Sequence, residues 1–367
     1  MEEGQTINIS QYLTNRLVAE TSSVKISQIE MSYLSDIFKD DFYLSERFEN
    51  ADDVLNSIQL LDRNFFYDIY KFSYNGGSYI IKIGESDDIT IFNKEKKALQ
   101  DIEELNLSPK HFNSSSSETY SYLLTSFEHA QSTKELSLSF TFKYIEKLSS
   151  VIAKIHNKTK QEENEKDLFL DSIYSYGEHD QIFSSEEFDA LIDQIKLDDY
   201  KYEDIKNLLN EIESSISIQI PSNGETFSAL CHTNINPSCI LHRQGKIKLF
   251  NFYQSFYLHP AWDLAFASYK LQLNKYPIHE KRFLDAYHDE SFLKENQYSY
   301  TLYKQLAYKI ILHQLVSKYF YVLSVPNEEM GNILSLVQEY DNIRDSIQDE
   351  FLQYIPMLDK MFFPFLK

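Results

Sequence analysis

The sequence predicts an α+β chain of two lobes, a smaller one built on an antiparallel sheet with one main helix and a larger, mostly helical one. Three observations predict it. Residues 58–83 are rich in β-branched and aromatic side chains with partial alternation, and Asn75-Gly76-Gly77 interrupts them as a hairpin turn signal. Beyond residue 130, Phe140, Tyr144, Leu148, Ile152 and Ile155 recur at the threes and fours of a helix. A compact non-helical stretch then runs from Leu230 to Phe252, with a hairpin turn at Gln244-Gly245. With 367 residues, 43% of them hydrophobic and 15% aromatic, the chain is long enough for two cores and too apolar for disorder. The boundaries follow: a first lobe over residues 1–127 and a second over 128–367.

Each element has its own signal. Ile7, Ile9, Tyr12 and Leu13, then Ile26, Ile29, Tyr33 and Leu34, are separated by Thr21-Ser22-Ser23 and read as short helices or strand-helix pieces. The sheet ends on the strand Ser78–Ile83, which carries Lys82. A helix over 91–105 places Phe92, Leu99, Ile102 and Leu105 near one face, carries Glu95, and stops at Ser108-Pro109. The serine run 114–117 reads as a loop and Tyr120–Leu124 as a strand. His156 ends the long helix, where the macrodipole favours it without further chemistry. Residues 158–225 read as an acidic helical insertion, and helices are expected at 301–324 and 331–352.

Charge and composition exclude several functions. Lys and Arg total 35 against 56 Asp and Glu, a net charge of −21 that repels nucleic acid and anionic lipid, so no nucleic-acid partner is expected. The most apolar long stretch, Leu302–Val325, contains Lys304, Lys309, His313 and Lys318, which argues for a soluble core helix and against a membrane span. Cys231 and Cys239 read as free thiols, and the first residues show neither a signal nor a transit peptide, so the expected compartment is the cytoplasm. Cys231, His232 and Cys239 make a poor metal set, and no metal site is assigned to them.

In order, the chain offers a strand lysine, a helix glutamate, a strand running into Leu123–Phe127, a long helix, and a loop-hairpin-loop. The loop reads His232-Thr233-Asn234-Ile235-Asn236-Pro237-Ser238-Cys239, followed by Leu249-Phe250-Asn251-Phe252 and Trp262-Asp263-Leu264-Ala265. This resembles the aminoglycoside phosphotransferase and choline kinase family, of protein-kinase-like fold, whose signatures run His-x-Asp-x-x-x-x-Asn, then Asp-Phe, then Asp-Leu-Ala. The motifs cover about residues 55 to 270, with the degenerate hairpin at 230–265. The resemblance implies that Lys82 faces nucleotide phosphates and pairs with Glu95, that Thr125 and Phe127 belong to the hinge that receives the nucleotide, and that His232 and Asp263 brace the loop.

Three departures carry the functional expectation. Asn234 stands where the family has its catalytic Asp, and an amide cannot take a hydroxyl proton, which forfeits about 10²–10⁴ in rate. Cys239 replaces a Mg²⁺-ligating Asn with soft sulfur, and Asn251 replaces the main metal-binding Asp. Leu61–Tyr67, the phosphate-loop position, has no glycine. The expected protein is therefore a catalytically degenerate kinase that binds a protein partner or a small ligand in the former nucleotide or substrate cleft. It requires no cofactor, with ATP or GTP bound without Mg²⁺ as an open alternative. Two other readings stand beside it. One is an active phosphotransferase on a small-molecule alcohol that uses non-standard residues, Asp263 among them; the other is a metal-independent nucleotide switch. The acidic segments Glu162-Glu163, Glu186-Glu187 and Asp198-Asp199 read as solvated faces and leave a cationic ligand as a further alternative.

Overall fold

A computed structural model describes residues 26–63, 67–128, 131–132, 138–162, 227–243, 245–273 and 279–324, with isolated positions from 207 to 216 and at 340, 356 and 358. The expected elements in residues 1–25, in nearly all of the acidic insertion and at 331–352 lie outside the described residues. The chain divides into two units: one takes the described residues up to Gln100 together with 109–128, and the other takes 101–108 and those from 131 onward.

Among the described residues, the first unit begins with three short helices that carry side-chain caps. In α1 (Gln28–Asp40) the Ser27 hydroxyl accepts from the Glu30 N–H at 3.2 Å while the Glu30 carboxylate accepts from the Ser27 N–H at 2.8 Å, a reciprocal capping box. Asp41 caps α2 (Phe42–Arg47) and Asn50 caps α3 (Ala51–Ser57), each accepting from a first-turn amide. Within residues 26–50 the described structure is helical, without strand pieces.

The sheet consists of β1 (Gln59–Arg63), β2 (Tyr67–Tyr74) and β3 (Gly77–Gly84), then α4 (Ile89–Asp101), then β4 (His111–Ser116) and β5 (Ser121–Ser126). Its order is β1-β2-β3-β5-β4, antiparallel throughout. The β2–β3 turn uses Asn75 and Gly76 at φ 49° and 77°, the left-handed geometry of a two-residue hairpin. Leu34, Phe38 and Val54 of the helices and Phe48, just past the end of α2, pack with Phe72, Ile81, Tyr122 and Leu124 of the sheet in one apolar core. Phe48 sits edge-on to Phe72 with ring centroids 5.1 Å apart.

Two expectations about this unit are corrected. Ser114, Ser115 and Ser116 are not a loop but lie in edge strand β4, paired with Leu123, Tyr122 and Ser121. Serine is a weak strand former, and here the buried neighbouring strand β5 imposes the conformation. Helix α4 ends at Asp101, before Ser108-Pro109, and a 3-10 turn over Glu103–Leu105 closes on Asn106 at φ 52°. Phe92, Leu99 and Ile102 are buried as expected, whereas Leu105, beyond the helix, is only partly so.

The second unit contains β6 (Gln131–Ser132), α5 (Leu138–Thr159), β7 (Ala229–Cys231), β8 (Ile240–Arg243), β9 (Lys246–Leu249), β10 (Phe256–Leu258), α6 (Ala261–Leu273), α7 (Glu280–Glu290) and α8 (Tyr300–Ser324). The strands form two small antiparallel sheets, β6-β8-β9 and β10-β7. Helix α5 buries Tyr144, Leu148, Ile152 and Ile155, and it runs to Thr159, so residues 158 and 159 belong to it and not to the insertion. Helix α6 packs on α8 through Tyr269 against Tyr308 and Trp262 edge-on to Tyr303. Gly245, at φ 79°, turns the β8–β9 hairpin, where its carbonyl accepts from Lys147 Nζ at 3.0 Å. No helix among the described residues is long and apolar enough to cross a membrane.

Candidate functional site

In the first unit the strand lysine and the helix glutamate meet. Lys82 Nζ donates to both Glu95 oxygens, at 2.9 and 2.7 Å, and the two residues are only 4% and 2% exposed. β3 presents Lys82 from its buried end, and Glu95 lies one helical turn beyond buried Phe92 on α4. The Tyr67 ring centroid lies 5.0 Å from the same ammonium. Thr125 is buried in β5 opposite Ile80, and Phe127 donates its N–H to the Ser78 carbonyl at 3.0 Å while its ring sits 4.1 Å from Lys71 Nζ.

In the second unit Asp263, in the first turn of α6, organises the loop after β7. Its two oxygens accept from the backbone N–H groups of His232 and Thr233, at 2.8 and 2.7 Å. His232 Nε2 lies 2.8 Å from the Phe250 carbonyl, which can only accept, so that nitrogen carries the proton. Nδ1 then accepts from the Asn234 N–H at 3.3 Å, and the ring is held as one neutral tautomer. Thr233 takes a positive φ of 57°, with its hydroxyl donating to the Gln254 carbonyl at 2.6 Å. Asn251 sits at φ 65°, directly before a 3-10 turn over Phe252–Gln254. Cys239 is buried, and its carbonyl accepts from the Phe250 N–H.

His156 departs from its expected role. It does lie in the last turn of α5, but it is fully buried and engaged: it donates from Nε2 to Asp263 at 3.2 Å while Nδ1 lies 2.8 Å from the Tyr287 hydroxyl. The contacts to Asp263 and Tyr287 span 107 and 131 residues, so a reading of helix ends alone could not reach them. Cys231 joins His156 and Asp263, their ligand atoms lying within 4.8 Å of one another, while Cys239 stands outside that group. Burial, and next the Asp263 charge, push the Cys231 thiol well up, so it stays protonated and points at the Leu258 and His259 carbonyls.

Sequence reasoning missed Lys270. Its Nζ donates to Asn234 Oδ1 at 2.5 Å, and the same oxygen lies 3.3 Å from Asn236 Nδ2. Because an ammonium only donates, the atom facing it must be the amide oxygen, which settles the Asn234 orientation. The signal was there: Lys270 follows Asp263 by seven residues, two helical turns, and so shares its face of α6.

The two positions that the resemblance assigns to magnesium fit it poorly: Cys239 offers a soft thiol and Asn251 a neutral amide, with no carboxylate between them.

No family model and no curated protein matches the sequence. Solved structures do match. The Plasmodium vivax ethanolamine kinase superposes with a TM-score of 0.55 at 16% identity, covering 93% of this chain and 95% of that one. The fold is that of the small-molecule kinases. Choline kinase LicA from Streptococcus pneumoniae gives 0.54 at 16% identity over 85% of this chain and 99% of its own. A thermostable mutant of the aminoglycoside phosphotransferase APH(4)-Ia gives 0.54 at 13% identity, over 83% and 98%. The two-lobed α+β kinase-like architecture expected from the motif order is therefore this chain's fold.

Proposed function

We propose that the chain is a kinase-fold protein that binds a partner or small ligand and does not transfer phosphate. The observation that carries the reading is Asn234, at the proton-acceptor position, with its side-chain oxygen on Lys270 Nζ at 2.5 Å. An amide beside an ammonium has no basicity to offer a hydroxyl proton, and losing that base alone removes about 10²–10⁴ in rate. Cys239 and Asn251 act in the same direction, because sulfur is a soft donor for a hard cation and the Asn251 amide lacks the negative charge of the Asp it replaces. On this reading ATP or GTP binds, as the alternative ligand, without metal and through Lys82. The test is thermal stabilisation by ATP and GTP with and without Mg²⁺, followed by assay of γ-phosphate transfer to alcohols, amines and the chain itself. We expect no Mg²⁺-dependent stabilisation and no transfer; either one overturns the proposal.

One observation favours a second reading, a small-molecule phosphotransferase: the Lys82–Glu95 pair is fully formed, as phosphate binding in this fold needs. Asp263 is a poor stand-in base for it, since its oxygens already accept from two backbone amides and His156. A third reading, the metal-independent nucleotide switch, requires a shift with ATP alone that Lys82→Ala abolishes.

A further inference from the structure

We propose that the Tyr67 ring is an autoinhibitory cover on Lys82, which a nucleotide phosphate must displace before it can pair with the ammonium. This deepens the reading of the cleft as a non-transferring binding site and rests on it. The argument starts from strand register. Lys82 lies directly opposite Ile69 in β2 and Leu123 in β5, so the three side chains share one face of the sheet. Tyr67 is two residues before Ile69 and shares that face too. Its own partner in β3 is Gly84, which has no side chain to fill the space opposite. The Tyr67 ring therefore leans along the sheet to the next residue of that face, Lys82, with its centroid 5.0 Å from Nζ.

The ring is held from the helix side as well. Phe92 of α4 lies 5.5 Å from it, centroid to centroid, and Tyr67, Phe92 and Leu123 form one buried cluster against which Ile69 packs. Glu95, one turn on from Phe92, takes two of the three ammonium donors. Lys82, Glu95 and Tyr67 are 4%, 2% and 3% exposed, so with carboxylate and ring in place the ammonium is out of reach of anything as large as a phosphate. The glutamate belongs to the phosphate-binding arrangement of this fold, whereas the ring does not, which makes Tyr67 the removable part. A side chain packed this closely swings out in a small fraction of molecules, and the apparent affinity for nucleotide falls by that fraction.

The experiment compares the full native chain with Tyr67→Val, which keeps a strand-forming residue, and Tyr67→Phe, which keeps a ring. ATP affinity is titrated by calorimetry in EDTA, and acylation of Lys82 by acetic anhydride is timed by peptide mass spectrometry. Tyr67→Val should bind ATP about threefold to thirtyfold more tightly than the native chain, the range for removal of a desolvated cation–π contact. Its Lys82 should acylate faster, and ATP should slow that reaction again. Tyr67→Phe should match the native chain in both measurements. Tyr67→Leu serves where Tyr67→Val lacks a native circular dichroism spectrum. An ATP affinity in Tyr67→Val equal to the native value, with no binding in either counted as equal, overturns the proposal. A lower affinity overturns it too, and would make the ring a stacking platform for the base; so does native-rate acylation of Lys82 in the variant. Phosphate transfer from ATP would instead overturn the non-transferring function, so the two failures are distinguishable.

Discussion

Lys82 and Glu95 are both almost wholly buried, so each neutralises a charge the other would otherwise leave stranded in a medium of low polarity. Lys82→Met is expected to lower unfolding free energy by about 3–5 kcal/mol, and adding Glu95→Leu should recover most of it, as read from urea midpoints. Asp263→Ala removes the acceptor of two buried backbone amides, and the cost should be about 2–5 kcal/mol. His259 and His313 set an acid limit. Burial pushes each down from 6.5 to about 4, with His156 adding to the effect at His259. The folded state thus binds protons less readily than the unfolded one, so their contribution is complete above about pH 6.5 and is lost as pH falls toward 4. At about 1.4 kcal/mol for each pKa unit, the pair should cost several kcal/mol over that range. Urea midpoints measured from pH 7 to 4 check this; a flat profile counts against it.

At the scale of elements, the order of strands and helices was legible because hydrophobic period and turn residues act locally. Asn75-Gly76-Gly77 and Gln244-Gly245 announce hairpins through backbone conformations that other residues adopt at a cost. Gly245→Ala is expected to destabilise by about 1–2 kcal/mol, from positive φ rather than crowding, since the nearest atom to an added Cβ is the mobile end of Lys147. What could not be read locally was fixed by partners distant in sequence. Ser114–Ser116 carry no strand signal of their own, and only the buried β5 beside them makes them a strand. His156 looked like a helix terminus because nothing near it in the sequence reveals Asp263 or Tyr287. Around the site, the loop residues were legible from motif spacing, while Lys270 was hidden inside a helix whose one informative clue is its seven-residue distance from Asp263.

Across the whole molecule, 56 acidic against 35 basic side chains leave a large net repulsion within the folded chain. Raising sodium chloride from about 10 to 200 mM, which shortens the Debye length to under about 10 Å, should therefore raise the melting temperature. A drop would mean that exposed ion pairs such as Lys154–Glu290 outweigh the global term. The three opening helices have a further consequence. Phe48 lies against Phe72, Tyr74 and Tyr79, and the Arg47 guanidinium sits 4.3 Å from the Phe112 ring centroid, so residues 26–57 roof one face of the five-stranded sheet. The sheet is not portable: transplanted or expressed from residue 58 onward, it would bare an aromatic plane to water, and such a fragment should be recovered from inclusion bodies rather than from the supernatant.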